Sequence, residues 1–136
     1  MLPLHYAARW RLASWLLIAT ILAAALVPAA WFWGAEKISV SWFEHSDKLL
    51  HAATFLILST WYTGQYQRNS YWQIAMSLLV FGVFIEACQA LVTYRTADWN
   101  DVAADAAGII IGLAIGTAGI GGWCLRVEER LAQRRQ

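Results

Sequence analysis

Four long apolar stretches alternate with short polar ones along the 136-residue chain. They predict four transmembrane helices, at about residues 12–33, 48–62, 71–92 and 101–123. A helix needs about 20 mainly apolar residues to cross the roughly 30 Å hydrocarbon layer of a bilayer. The second stretch is shorter and contains polar residues, so we expect it to be tilted or enclosed by its neighbours. The pattern predicts an all-α integral membrane bundle in a single domain, residues 1–136.

The first apolar stretch also fits a secretory signal peptide. Arg9 and Arg11 precede an apolar core that ends at residues 27–29, which is the order such peptides use. The core is long for that role and the bulky Trp31 and Trp33 follow it, so we favour a permanent helix. Both interpretations give the later helices the same orientation.

Basic residues are divided unequally between the two ends of the predicted bundle. One end carries Arg9, Arg11, Arg68, Arg126, Arg130, Arg134 and Arg135, and the other carries Lys37, Lys48 and Arg95. Because short cytoplasmic loops are enriched in Lys and Arg, we expect the arginine-rich end, with both termini, in the cytoplasm. Residues 124–136 are then a charged cytoplasmic tail, expected to form a surface helix. The acidic loops lie on the outer face.

Composition narrows the function classes. The formal net charge is +1, which gives no reason to expect a nucleic-acid partner. Cys88 and Cys124 lie in separate apolar stretches without a CxxC or Cys/His pattern, so neither a disulfide nor a zinc site is expected from the cysteines.

Ionisable residues inside the predicted spans are the informative feature, because a charge at the bilayer centre costs about 2.5 to 3.5 kcal/mol on insertion scales. Three groups lie toward the predicted outer side: Asp47, Lys48 and His51; Glu86 and Gln89; and Arg95, Asp98, Asp101 and Asp105. If Asp98 already belongs to the fourth helix, Asp98, Asp101 and Asp105 lie on one face of it. Three acids on one face require a cation, a shared proton or water. Gly108, Gly112 and Gly116 continue that face as a small-residue stripe, which predicts close packing on another helix.

Each group also has a plainer interpretation. Asp47 would complement the positive end of a helix dipole, and Lys48 would extend to the interface. Glu86 would be protonated and bonded to another helix, or ionised and paired with a nearby cation. Asp98 would belong to a solvated outer loop. His51 fits none of these well because it lies deeper.

In order and spacing, these residues resemble the VanZ-like membrane proteins, small four-helix proteins of the bacterial envelope. The matching motifs are Asp47-Lys48-x-x-His51-x-x-x-Phe55, Glu86-x-x-Gln89, Arg95-x-x-Asp98-x-x-Asp101 and Asp105-x-x-Gly108-x-x-x-Gly112. One departure is Asp105, where the family usually has Asn. The resemblance implies a multi-pass protein of the bacterial cytoplasmic (inner) membrane. The family is named for an association with glycopeptide (teicoplanin) resistance, and whether this chain confers it is left open.

Three hypotheses follow. In the preferred one, the three groups form an outward-facing pocket in which Lys48, His51 and Arg95 bind the anionic headgroup of an envelope lipid or lipid-linked precursor. In the second, the protein is an enzyme in which His51, Glu86 and Asp101 perform acid–base or metal-dependent chemistry; no cofactor is predicted, and a divalent metal ion is left open. In the third, the polar groups only hold the helices together. Membrane lipids are the expected partners, with a homo-oligomer possible.

Overall fold

A computed structural model describes residues 1–26, 40–91 and 98–134, with the backbone alone for residues 40–46. The helices are α1 (Ala7–Leu26), α2 (Val40–Thr63), α3 (Tyr71–Ala90), α4 (Trp99–Ile115) and α5 (Trp123–Gln133). A 3₁₀ turn, Arg68–Ser70, leads into α3. Within these residues every regular element is a helix, so the predicted all-α class is confirmed.

Three helical segments are long and apolar enough to cross a membrane. They are α1 (Ala7–Leu26), α3 with the turn before it (Arg68–Ala90), and α4 with the segment that follows it (Trp99–Ile120). The α2 helix is not among them, because Asp47, Lys48 and His51 lower its hydropathy. The protein is therefore a helical membrane protein, and the fourth span remains a prediction. A helix that carries charges can still cross a bilayer when other helices enclose the charged face.

Two helix boundaries differ from the predicted ones at the polar end of the bundle. The α2 helix begins at Val40 and not near Lys48, so Asp47 lies about two turns inside it. The interpretation of Asp47 as an N-terminal capping residue is therefore wrong. The α4 helix begins at Trp99, and Asp98 is its N-cap. Residues 27–33 of the first predicted span lie outside the described residues.

The α2 and α4 helices run parallel and in close contact. A β-carbon at Gly108 would collide with the carbonyl oxygen of Ala52, and one at Gly112 with the side chain of Ser59. Small residues at these positions let two helix backbones approach closely. The α3 helix runs the opposite way, since the Tyr71 hydroxyl at its start donates to the carbonyl oxygen of Thr63 at the end of α2. The N-terminal halves of α2 and α4 therefore lie beside the C-terminal half of α3.

The fourth predicted span is too long at its C-terminal end. After Ile115 the chain continues as a π-helical segment, Gly116–Ile120, in which Gly119 has a φ of 128°. Glycine adopts this conformation without the steric strain that a side chain would cause. Gly122, with a φ of 73°, precedes α5, and the Arg126 guanidinium donates to the carbonyl oxygens of the intervening bend. Trp123 consequently starts α5 rather than ending α4.

The α5 helix is docked on the N-terminal segment and is not a free surface helix. Its Glu128 carboxylate is buried and accepts hydrogen bonds from the backbone N–H groups of His5, at 2.7 Å, and Tyr6, at 3.0 Å. The Trp10 indole nitrogen donates to the same carboxylate at 2.8 Å. Glu128 thus satisfies donors at the start of α1 that have no partner within the helix. Cys124, also buried on α5, and Cys88 on α3 are free thiols.

Candidate functional site

Seven ionisable side chains from α2, α3 and the start of α4 converge at one end of the bundle. We call them the polar cluster: Asp47, Lys48, His51, Glu86, Asp98, Asp101 and Asp105. Asp47 and His51 share a face of α2 because they are one turn apart. Gln89 lies beside the cluster and donates to the carbonyl oxygen of Ala25 in α1 at 3.0 Å. Arg95, the remaining predicted ligand-binding residue, lies outside the described residues.

A histidine–carboxylate pair is at the centre of the cluster. His51 Nδ1 lies 2.9 Å from Asp105 Oδ1, and both side chains are buried. Because an ionised carboxylate only accepts hydrogen bonds, the imidazole donates from Nδ1. In the neutral ring Nε2 then keeps its lone pair and can act as a base or as a ligand. Nε2 lies 3.9 Å from Glu86 Oε1, which is too far for a direct hydrogen bond.

Lys48 forms the outer edge of the cluster. Its ammonium nitrogen lies 3.0 Å from Asp98 Oδ2 and 3.6 Å from Asp101 Oδ1. Asp98 also accepts from the Asn100 backbone N–H at the start of α4. The Asn100 hydrogen bond and the one from Lys48 together hold the pKa of Asp98 below its ordinary value. Lys48 therefore has acidic partners in the protein and does not simply extend to the membrane surface.

Three carboxylate oxygens in the cluster are buried without a hydrogen-bond partner among the described residues: Glu86 Oε1, Asp101 Oδ1 and Asp105 Oδ2. Their side chains belong to residues that are only 6%, 4% and 0% exposed. The other Glu86 oxygen accepts from the Asp98 backbone N–H at 2.9 Å, which links α3 to the start of α4. Buried polar atoms are nearly always bonded, so each of these three oxygens is expected to have a partner beyond the described residues, such as a proton, a cation, water or a ligand.

Two cavities border the cluster. One, of about 190 Å³, is bounded by α1, α2 and α3, with Asp47, His51 and Gln89 as polar lining and Phe55 and Ile85 among its apolar walls. The other, of about 200 Å³, is lined by Glu86, Asp98 and Trp99 together with small apolar residues of α3 and α4. His51, Glu86, Asp101 and Asp105 are buried, and the cluster is still adjacent to space that a small group can enter.

Asp47, His51 and Asp101 form a group that could hold a metal ion. Each offers a ligand atom, and the three atoms lie within 4.8 Å of one another. The first two come from α2 and the third from α4. The ligand distances are short because the glycine-lined contact brings these two helices together.

Gly82, which borders the cluster, and Glu128, which lies outside it, were not found from the sequence. Gly82 faces Asp105, since a β-carbon there would collide with Asp105 Oδ2. Its position one turn before Glu86 on α3 was a usable signal, because a small residue on a polar face indicates a close neighbour. Glu128 had no such signal, since its partners are more than 100 positions away along the chain.

One comparison with known proteins gives a result. A model of the VanZ/LLP1 family matches residues 3–118. No curated protein and no solved structure matches the chain. The matched region contains the whole polar cluster and all of α1, which favours the permanent first helix over a cleaved signal peptide. The α5 helix lies beyond it.

Proposed function

Because this chain belongs to the VanZ/LLP1 family, we propose that its polar cluster binds the headgroup of an envelope lipid or lipid-linked precursor from the outer leaflet of the bacterial cytoplasmic membrane. One observation supports this most strongly. Buried carboxylates of α3 and α4 have oxygens without a hydrogen-bond partner among the described residues, and the cluster that contains them borders, through Asp47 and His51, a cavity with apolar walls. Such a site suits a ligand that is polar at one end and apolar at the other.

The shape of the 190 Å³ cavity supports a headgroup as its occupant. Asp47, His51 and Gln89 supply polar contacts, while Ile21 and Phe55 supply apolar ones. The volume admits a headgroup but not a whole lipid, so the acyl or isoprenyl chain extends along the helices into the bilayer. The structural alternative, in which the polar residues only join helices, gives no role to three buried oxygens that accept no hydrogen bond from the described part of the chain.

The charges of the cluster define which part of a headgroup it meets. Lys48 is paired with Asp98 and Asp101, and the His51 ring is bonded to Asp105, so the described residues of the cluster have no surplus positive charge to bind a phosphate in its interior. Carboxylates outnumber cations among the described residues of the cluster. We therefore assign hydroxyl or ammonium groups of the ligand to the carboxylates. Lys48, whose side chain is 38% exposed, is the described cation best placed to meet a phosphate at the rim.

The His51–Asp105 pair favours a second candidate, a membrane-embedded enzyme. A carboxylate that holds one imidazole nitrogen leaves the other oriented to take or give a proton. Glu86 Oε1 lies 3.9 Å from that second nitrogen and would be the complementary acid. Hydrolysis or transfer on an envelope lipid by the purified protein, lost in His51→Gln, would establish this candidate over binding alone.

The lipid proposal is tested by mass spectrometry of lipids retained by the protein in bilayer discs. We expect the wild type to retain one lipid class selectively, and His51→Ala to lose at least tenfold of it with its helical content unchanged. Ser14→Ala is the control, because Ser14 is also buried and polar but belongs to a separate network with Gln65 and Trp61. Equal retention by all three proteins would refute the proposal.

A further inference from the structure

We infer that Asp47, His51 and Asp101 bind one divalent cation of intermediate hardness, Zn²⁺ or Mn²⁺, with Glu86 as a fourth ligand. The location is that of the proposed headgroup pocket, so this inference rests on that pocket and adds a cation to it.

The three principal residues are positioned as ligands before any ion arrives. Their ligand atoms lie within 4.8 Å of one another. Two ligands at about 2.1 Å from one ion stand about 3.0 to 4.2 Å apart, so a small side-chain movement completes the site. Asp47 and His51 occupy successive turns of α2, and Asp101 lies in the first turn of α4.

His51 is oriented as metal-binding histidines usually are. Its Nδ1 is bonded to the Asp105 carboxylate, which fixes the ring and leaves Nε2 for an ion. The 3.9 Å between Nε2 and Glu86 Oε1 is too long for a hydrogen bond, but it lies within the range for two ligands of one ion. This distance is the reason for including Glu86.

Two of the unpartnered oxygens belong to proposed ligands, which is an independent indication of a missing group. Glu86 Oε1 and Asp101 Oδ1 are buried and accept no hydrogen bond within the described residues. Lys48 lies 3.6 Å from Asp101 Oδ1 but bonds at 3.0 Å to Asp98, so Asp101 can bind an ion while the Lys48–Asp98 pair persists.

Charge and ligand type define the ion. A buried carboxylate without a counter-charge is strongly destabilising, and a dication beside several of them removes that penalty. Imidazole with carboxylates suits Zn²⁺ or Mn²⁺, whereas Mg²⁺ and Ca²⁺ prefer oxygen ligands alone. Coordination positions left open toward the cavity would take water or the phosphate oxygen of a headgroup.

The test uses the full chain in bilayer discs, stripped with a chelator and titrated with Zn²⁺ or Mn²⁺ alone. We expect one ion per chain, unaffected by a hundredfold excess of Mg²⁺, and at least a hundredfold loss of affinity in Asp101→Ala and His51→Ala. Asp105→Ala, which removes the support of His51, should weaken binding about 10- to 100-fold. Glu129→Gln, an exposed acid on α5, should bind as the wild type does. No stoichiometric ion, or equal affinity in every variant, would overturn the inference.

A measurement on the wild type covers variants that fail to fold. Pulsed electron paramagnetic resonance of bound Mn²⁺ should show nitrogen coupling from one imidazole, and its absence would also refute the site. Lipid retention, measured in parallel with and without the chelator, separates the two proposals. If the protein retains lipid but binds no ion when Zn²⁺ or Mn²⁺ is supplied, only the metal site is contradicted. If it binds the ion but retains no lipid, only the headgroup proposal is contradicted.

Discussion

Two buried carboxylates each hold a neighbouring element in place. Asp105 fixes the His51 ring from α4 and reaches the surface of α3 at Gly82. Glu128 bonds the start of α1 from α5. Hydrogen-bond donors or closely packed backbone surround each carboxylate. A shorter or neutral side chain would leave those donors without a full acceptor. Single substitutions at these positions therefore affect contacts between helices more than the helices themselves.

The Glu128 contact predicts a pH-dependent stability. Burial opposes ionisation of Glu128, but hydrogen bonds from Tyr6, Trp10 and His5 outweigh it and lower the pKa below the ordinary 4.5. A lowered pKa in the fold means that ionised Glu128 stabilises fully above the ordinary value and less as pH falls through the folded-state value. We expect Glu128→Gln to cost about 1 to 3 kcal/mol at pH 7. The cost should shrink below about pH 4.5.

Thermal unfolding in detergent, followed by tryptophan fluorescence from pH 7 to pH 3, measures this cost. Glu129→Gln is the control, since Glu129 is the exposed neighbour on the same helix. If the stability cost of Glu128→Gln stays constant from pH 7 to pH 3, this result would contradict an ionised Glu128.

At the scale of elements, the parallel α2–α4 pair determines where the polar cluster forms. The glycine stripe lets the helices approach until Gly108 lies against the backbone of Ala52, one residue after His51. Asp105, one turn before Gly108 along α4, then lies level with His51. Close packing and the histidine–carboxylate pair are therefore consequences of the same contact.

The Gly108→Val substitution should consequently disrupt both the close packing of α2 on α4 and the His51–Asp105 pair. Its branched side chain would collide with the carbonyl oxygen of Ala52 and separate the helices. We expect a loss of about 1 to 3 kcal/mol, as for overpacked cores. The paired control is Ala107→Val, which places the same side chain at an exposed neighbouring position. Thermal unfolding of both variants measures the difference, and equal unfolding temperatures would show that the stripe is not tightly packed.

Local pattern predicted some elements and missed others for identifiable reasons. Long apolar runs predicted α1, α3 and α4, because hydropathy reports which segments a bilayer can hold. The start of α2 was missed because Asp47 and Lys48 resemble loop residues, although the helix continues through them and Lys48 pairs across helices. The contact of Glu128 with the start of α1 was missed because periodicity carries no information about such distant partners. Spacing grouped the candidate site residues by segment, but only the helix packing shows which groups meet.

Charge is segregated along the described part of the molecule. The polar cluster occupies one end, while Arg9, Arg68 and Arg126 lie with the opposite ends of the helices. From the preference of cytoplasmic segments for Lys and Arg, we predict that the arginine end faces the cytoplasm. This orientation, with the α2 helix as a fourth span, is our prediction for the topology.

Single cysteines placed at exposed positions in a variant lacking Cys88 and Cys124 test that topology. Asn100→Cys at the start of α4 should react with a membrane-impermeant maleimide added to spheroplasts, whereas Asn69→Cys, before α3, should react only after permeabilisation. The paired positions control for expression and reagent activity. Labelling of Asn69→Cys alone in sealed spheroplasts would show the opposite orientation. Labelling of both Asn69→Cys and Asn100→Cys would exclude the predicted spans.

The Glu128 contact also imposes an order on biosynthesis. Trp10 and its partner are 118 positions apart, and ribosomes add about 5 to 20 residues per second, so roughly 6 to 24 s separate their synthesis. Until then the amide groups of His5 and Tyr6 have only water or lipid headgroups as acceptors. The start of the first helix is thus the last part of that helix to gain its acceptor, and a nascent chain arrested before Glu128 should present its N-terminal segment to proteases that the finished protein resists.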